Sequence, residues 1–164
     1  MLKTSGQYPA IKIRILLALG TGLRRCDIDA LKISDIDFEK NSNATKSRKT
    51  KKSMASRPVS AEVMVELSKY VCSLGVDQEK LFKAKFNHRK WRNICNKAGL
   101  GDLKFHDLRK TFCSLLAQNG VSTAVTQRLL EHLSPNLTNK VYTNVDPVLR
   151  QSVNQLPVEQ WLQK

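Results

Sequence analysis

The sequence predicts a mainly α-helical domain with one small antiparallel β-sheet. Apolar residues recur at helical spacing along most of the chain, and caps and stops separate the stretches. One segment, Ile33 to Phe38, alternates apolar and polar instead, as a short strand does. The 164 residues are 41% hydrophobic, enough to bury one real core, and they contain no repeat and no linker.

In chain order, Ile11, Ile15, Ala18 and Leu19, with Leu16 beside them, mark a helix expected to end at Gly20. Thr21-Gly22 breaks the chain, and Arg24 to Leu31 carries Ile28 and Leu31 at helical spacing. After the alternating Ile33–Phe38 segment, residues 39–53 are rich in Asn, Ser and Lys. They read as turns around two further short strands, with Arg57-Pro58-Val59 closing the sheet. Ser60 caps a helix to Val71 that presents Val63, Leu67 and Tyr70 on one face. Phe86 to Ala98 is a helix stopped by Gly99, and His106 to Gln118 is another, with Phe112, Leu115 and Leu116 inward and Asn119-Gly120 as its stop. Ser122 opens a short helix through Leu130, Pro135-Asn136 makes a turn, and Leu137 to Val141 forms one or two helical turns. Asp146-Pro147 begins a last helix to about Gln155, by the preference for Pro at the first helical position. A short apolar tail with Val158, Trp161 and Leu162 follows Pro157.

Charge narrows the partners. Lys and Arg number 28 against 14 acidic residues, a formal net charge of +14. An excess of this size favours a polyanion, because each neutralised phosphate of a nucleic acid releases counterions. The cations gather in two clusters, Lys40 to Arg57 and Lys80 to Arg92, each between apolar segments as on the edges of a folded body. Cys26, Cys72, Cys95 and Cys113 form no Cys-x-x-C pair and have no histidine at ligand spacing, so they read as small hydrophobes rather than a zinc site. The longest apolar run, Ile15 to Leu19, is far short of the roughly 18 to 20 residues that span a bilayer, so an intracellular protein without a membrane partner is expected.

Two arginines stand at helix starts: Arg24, after Thr21-Gly22-Leu23, and Arg109, in His106-Asp107-Leu108-Arg109. The three-residue spacing puts His106 and Arg109 on one face near a helix N-terminus, where free N–H groups and the helix dipole favour an anion. His132 follows a helix of its own, and Tyr142 lies ten residues further on. Singly, each has an ordinary structural explanation.

Their order and context form a pattern. Thr21-Gly22-Leu23-Arg24-Arg25-Cys26-Asp27-Ile28 resembles the first arginine motif of the tyrosine recombinase, or phage integrase, family. His106-Asp107-Leu108-Arg109-Lys110-Thr111-Phe112 resembles that family's His-x-x-Arg motif. Leu129-Leu130-Glu131-His132-Leu133-Ser134, then Leu137-Thr138 and Val141-Tyr142-Thr143, resembles its closing His-to-Tyr box. The resemblance runs from about residue 8 to residue 155 and implies that family's catalytic-domain fold.

It also implies a site-specific DNA recombinase that cleaves and rejoins strands through a 3′-phosphotyrosyl intermediate. Arg24 and Arg109 would clamp the scissile phosphate, a task suited to the planar guanidinium. Tyr142 would be the nucleophile. His106 would help accept its proton, His132 would hydrogen-bond a phosphate oxygen, and Asp27 would buttress the site. A hairpin lysine would protonate the 5′-oxygen, with Lys49-Thr50 the best fit to the family's Lys-Thr pattern and Lys51 the second choice. Lys51, Lys52, Lys85, Arg89, Lys90 and Arg92 are candidates for holding double-stranded DNA. Because side chains supply the cations, no cofactor, metal or ATP is implied.

The same resemblance implies a tetramer on DNA and a cytoplasmic setting in a prokaryote or phage. Its N-terminal DNA-clamping domain has no counterpart in this sequence, so a single catalytic domain is expected over residues 1–164. The segment from about 146 to 164, with Leu149, Val153, Leu156, Trp161 and Leu162, could dock on a neighbouring protomer or pack on its own domain. Two positions depart from the family pattern: Asp27 stands for a Glu, and Glu131 for the Gly that commonly precedes the histidine. Two other functions fit parts of the pattern, a DNA-binding protein that has lost catalysis and a relaxing enzyme like type IB topoisomerases. Retention of every catalytic residue type argues against the first, and the His132-to-Tyr142 box argues against the second.

Overall fold

A computed structural model describes residues 2–46, 54–131 and 146–163. The longest helix, α2 (Pro9–Thr21), lies at the centre. Ile11, Ile13 and every residue from Ile15 to Leu19 are buried, which explains a nearly unbroken apolar sequence: a helix covered on all sides needs no polar face. Helices α3 (Arg25–Asp29), α4 (Ala61–Cys72) and α6 (Asp107–Gln118) pack around it, and a short α1 (Leu2–Ser5) touches its start. Each fully buried side chain here, such as Leu16, Leu67 or Phe112, contributes about 1.5–3 kcal/mol of transfer free energy.

The sheet is antiparallel, in the order β1 (Ile36–Asp37), β2 (Ser42–Lys46), β3 (Met54–Pro58). Register is fixed by Ile36 opposite Asn43 and by Asn43 opposite Arg57. The face that carries the paired Asn43 and Arg57 is polar and buried. Helix α5 (His88–Lys97) buries Trp91, Ile94 and Cys95, and Trp91 stacks edge-on against Phe105, 5.2 Å between ring centroids. Helices α7 (Thr123–Glu131), α8 (Asp146–Asn154) and α9 (Val158–Gln163) complete the described chain.

The predicted class is the observed one, with local corrections. Helix α2 passes through Gly20 and ends at Thr21, with Gly22 as a left-handed cap at φ 64°. Gly20 is a packing glycine rather than a stop: a Cβ there would sit 3.2 Å from Val63 Cγ2. The expected strand from Ile33 begins instead as a 3₁₀ turn, Ile33–Asp35, because the Asp35 carboxylate accepts the Lys32 N–H at 2.9 Å and curls the chain. Helix α5 starts at His88, two residues late, since Asn87 Oδ1 accepts the Lys90 N–H at 2.9 Å and caps it. Ser60 occupies the N-cap position of α4 without a side-chain cap bond. The apolar tail is helical, and α8 and α9 bury Leu149, Val153, Leu156 and Val158 against the chain's own elements. The turn at Pro135-Asn136 and the helical turns at Leu137–Val141 lie outside the described residues.

Candidate active site

The site is built on the link between α2 and α3. Thr21 Oγ1 donates to the Leu17 carbonyl at 2.6 Å and accepts the Leu23 N–H at 3.3 Å, closing a tight turn. Gly22 at its apex lies against α6: a Cβ would fall 2.5 Å from Phe112 Cδ1 and 3.0 Å from Leu130 Cδ2. Only glycine fits both this space and the positive φ. The carbonyl of Gly22 accepts a hydrogen bond from Arg109 Nη1.

This turn delivers Arg24 to the N-cap of α3, where its carbonyl accepts the N–H groups of Asp27 and Ile28 at 2.9 and 3.0 Å. The Arg24 side chain is exposed. His106 holds the equivalent place on α6, at the N-cap and exposed, and its carbonyl accepts the Arg109 N–H at 3.1 Å. Arg109 is half-buried, and Nη2 also donates to the Leu130 carbonyl at 3.3 Å. One guanidinium therefore joins the α2–α3 turn, α6 and the end of α7.

Burial holds the Arg109 pKa below the usual arginine value, and the positive charge of Arg24 lowers it further, while Cys113 and Asp27 act in the opposite sense. The two motif arginines thus lie in one another's field. Like charges are held together at a cost, which an anion such as a phosphate diester relieves. Asp27, in the first turn of α3, is the nearby carboxylate and moderates this field.

Sequence reasoning did not single out Arg57, although it belongs to the same cluster. On β3 it is only 2% exposed, and Nε donates to the Leu129 carbonyl at 3.3 Å. Burial lowers its pKa to about 10, Asp27 opposes the shift, and Arg109 and Arg24 add to it. Its neighbours in sequence gave no warning, because it is one of many cations in the Lys40–Arg57 stretch. The signal that could have marked it is strand alternation, which turns it to the same covered face as Asn43.

Of the predicted site residues, the structure brings Arg24, Asp27 and Arg109 into one another's field, and His106 stands at the N-cap of the helix that carries Arg109. Lys49, Lys51, Lys52, His132 and Tyr142 lie outside the described residues. The described part of α7 runs to Glu131, next to His132, and β2 and β3 are described on either side of the stretch that carries Lys49. Lys85, Arg89, Lys90 and Arg92 are exposed at or near α5, away from the arginine pair in sequence. Of these, Lys85 lines a cleft of about 670 Å³ together with Arg25, Lys80, Lys83, Phe86 and His88 among others. Arg25 follows Arg24 directly, so the cleft and the arginine pair flank the same short helix.

A profile of the phage integrase family matches residues 2–148. The chain belongs to that family. A tyrosine recombinase XerA of Saccharolobus solfataricus is 33% identical over 138 residues, covering 82% of this chain and 45% of that protein. The XerA of Pyrococcus horikoshii is 30% identical over 145 residues, covering 82% and 50%. This integrase-family chain spans about half the length of the curated relatives it matches. Among solved structures, an integrase from mycobacterium phage Brujita superposes with a TM-score of 0.69 at 18% identity, over 91% of this chain and 52% of that one. The XerH recombinase bound to its difH substrate gives 0.62 at 19%, over 98% and 48%. At these identities the superpositions establish the integrase catalytic fold and nothing finer. Among the described residues no helix is long and apolar enough to cross a membrane.

Proposed function

We propose that this chain is the catalytic part of a site-specific DNA recombinase acting through a 3′-phosphotyrosyl intermediate. The observation that carries the reading is the joining of Arg24 and Arg109 over the Gly22 turn, at the starts of two helices, in a member of the integrase family. Their guanidinium groups grip the two non-bridging oxygens of the scissile phosphate and stabilise the charge that builds on them. The hydroxyl of Tyr142 loses its proton with help from His106, and the oxygen attacks phosphorus. The bond from phosphorus to the 5′-oxygen breaks as Lys49 delivers a proton to that oxygen. The products are a tyrosine-linked 3′-phosphate and a free 5′-hydroxyl. Attack by the 5′-hydroxyl of another strand reverses the chemistry, so the diester's energy is retained without ATP. His132 holds a phosphate oxygen, and Asp27 buttresses the arginines.

Double-stranded DNA is the substrate. Exposed Lys85, Arg89, Lys90 and Arg92, with Lys51 and Lys52 of the hairpin, bind its backbone, and strand exchange runs in a tetramer in a prokaryotic or phage setting. Leu149, Val153 and Leu156, which pack here on the chain's own core, belong to the segment that would link protomers.

The test is covalent trapping by the full-length protein on a nicked duplex selected from a randomised pool for binding. The wild type forms a denaturant-resistant protein–DNA adduct and Tyr142→Phe forms none. Firm binding without any wild-type adduct would make the protein a catalytically silent DNA binder.

A further inference from the structure

The cleft of about 670 Å³ lies between α3 and the chain that leads into α5, and its two walls are tied together. Buried Arg14 spans them: Nε donates to Asp29 Oδ1 on α3 at 2.7 Å, and Nη2 to the Ala84 carbonyl opposite at 2.8 Å. Two backbone bonds join the same stretches, from the Leu81 N–H to the Leu31 carbonyl at 2.9 Å and from the Ile33 N–H to the Glu79 carbonyl at 3.0 Å. Arg25, Lys80, Lys83, Lys85 and His88 line the cleft, and among the described residues Asp29 is its one carboxylate. That carboxylate is taken up by Arg14 and by Arg25, whose Nη1 donates to Oδ2 at 2.9 Å. None is left in the lining to match the three exposed lysines, so the cleft suits an anion.

Its place relative to the arginine pair says which anion. The cleft takes the face of α3 that carries Arg25, Cys26, Asp29 and Ala30, and at about 3.6 residues per turn Arg24 and Asp27 fall on the other side. A helix is about 10 Å across, and successive nucleotides of one strand advance about 3.4 Å along a duplex. A strand gripped at Arg24 therefore reaches the cleft about three nucleotides on. Through Lys85 and His88 the cleft continues to the exposed Arg89, Lys90 and Arg92 of α5. On the recombinase reading above, we propose that this cleft is a second phosphate seat, in which Arg25, Lys80 and Lys83 hold the cleaved strand about two to four nucleotides from the scissile phosphate. Contacts of this kind fix the register of the strand and leave its sequence unread.

The test uses the full-length protein as wild type, as a Lys80→Gln and Lys83→Gln double variant, and as the matching double variant to Arg. Each is titrated on the nicked duplex and on copies in which one phosphate at a time is a neutral methylphosphonate. The glutamine variant should melt like wild type, since both lysines are exposed, and its slope of log affinity against log salt should fall by about 2, at roughly 0.9 per contact. In wild type a methylphosphonate about two to four nucleotides from the scissile position should weaken binding about two- to fivefold, and in the glutamine variant it should cost nothing. The arginine variant should keep both the slope and the penalty. An unchanged slope, or a penalty that survives in the glutamine variant, would overturn the seat. An unchanged slope with loss of binding to a poly-glutamate peptide would overturn it in favour of an acidic protein partner. Adduct formation on the same duplexes tests the recombinase reading, whereas the affinities test the seat. Silenced phosphates without any wild-type adduct would thus end the first and uphold the second.

Discussion

Two buried arginines, Arg14 and Arg57, are covered to the same degree, 2% exposed each, and live in opposite surroundings. Arg14, on α2, donates from Nε to Asp29 Oδ1 at 2.7 Å, from Nη1 to the Ala10 carbonyl at 3.1 Å and from Nη2 to the Ala84 carbonyl at 2.8 Å. Its guanidinium lies 3.8 Å over the Phe82 ring. The charge is matched by a carboxylate, and the bonds tie α2, α3 and the chain before α5 together. Arg57 instead lies beside Asp27, Arg109 and Arg24, and burial first of all lowers its pKa to about 10. A charge matched inside the fold serves architecture. The field about Arg24 and Arg109, which Asp27 and Cys113 moderate at Arg109, favours an anion.

The largest effect expected from breaking this contrast is on stability. Arg14→Leu removes one partner of a nearly buried ion pair and should cost about 3–5 kcal/mol, read as a lower denaturant midpoint. Arg25 Nη1 still holds Asp29 Oδ2 at 2.9 Å, which favours the lower end of that range. Arg57→Leu leaves the buried Leu129 carbonyl without its Arg57 donor and should cost less, about 1–3 kcal/mol. Equal losses for the two variants would erase the distinction between them. Next comes Gly22→Ala, which meets both the positive φ and Phe112 Cδ1 at 2.5 Å. Left-handed backbone and overpacking together should cost about 2–4 kcal/mol by thermal melting, with Arg109 displaced as the turn shifts.

The ease of reading the sequence follows the same division. The helical class, the three-stranded sheet and the helix starts at Arg24 and His106 were legible, because each rests on local signals: apolar period, Gly at a cap, Asp-Pro at an N-terminus. Gly20 was read as a stop, since a packing glycine and a capping glycine look alike until the neighbouring helix supplies Val63. Arg57 was lost among surface cations for a related reason. Its burial depends on α7, which lies 72 residues away in the chain, and no local pattern encodes that. The tail read as apolar, and its helix α9 forms because α1 and α4 offer a surface to cover.

Exposed cations give a third kind of arginine and lysine against which to sharpen the comparison. Neutralising Lys85, Arg89, Lys90 and Arg92 together should leave the melting temperature nearly unchanged, because surface substitutions usually fall within about 0.5 kcal/mol. If all four meet phosphates, the slope of log affinity against log salt should fall by about 3 to 4, at roughly 0.9 per contact. Unchanged DNA affinity would move the interface elsewhere.

The smallest effect should come from an acid. Glu66 on α4 accepts Lys12 Nζ at 2.6 Å and Lys69 Nζ at 2.8 Å, and its side chain is 15% exposed. The bond from Lys12 and then that from Lys69 hold its pKa below the usual carboxylate value, against a weaker push from burial. A carboxylate whose folded pKa is depressed stabilises the protein above its unfolded pKa, and that contribution disappears as pH falls through the folded value. Stability should therefore be flat near neutrality and decline below about pH 4.5, the ordinary value for this group. Glu66→Gln should remove part of that acid slope while lowering neutral stability by about 1 kcal/mol or less, since the lysine partners reach solvent. An undiminished acid slope in Glu66→Gln would move the titration to other carboxylates held low, Asp107 by Lys110 and the Lys104 N–H at the start of α6 and Glu79 by Lys32. Acid sensitivity would then report on the start of the helix that carries Arg109, or on the Lys32–Glu79 pair, rather than on the α2–α4 contact.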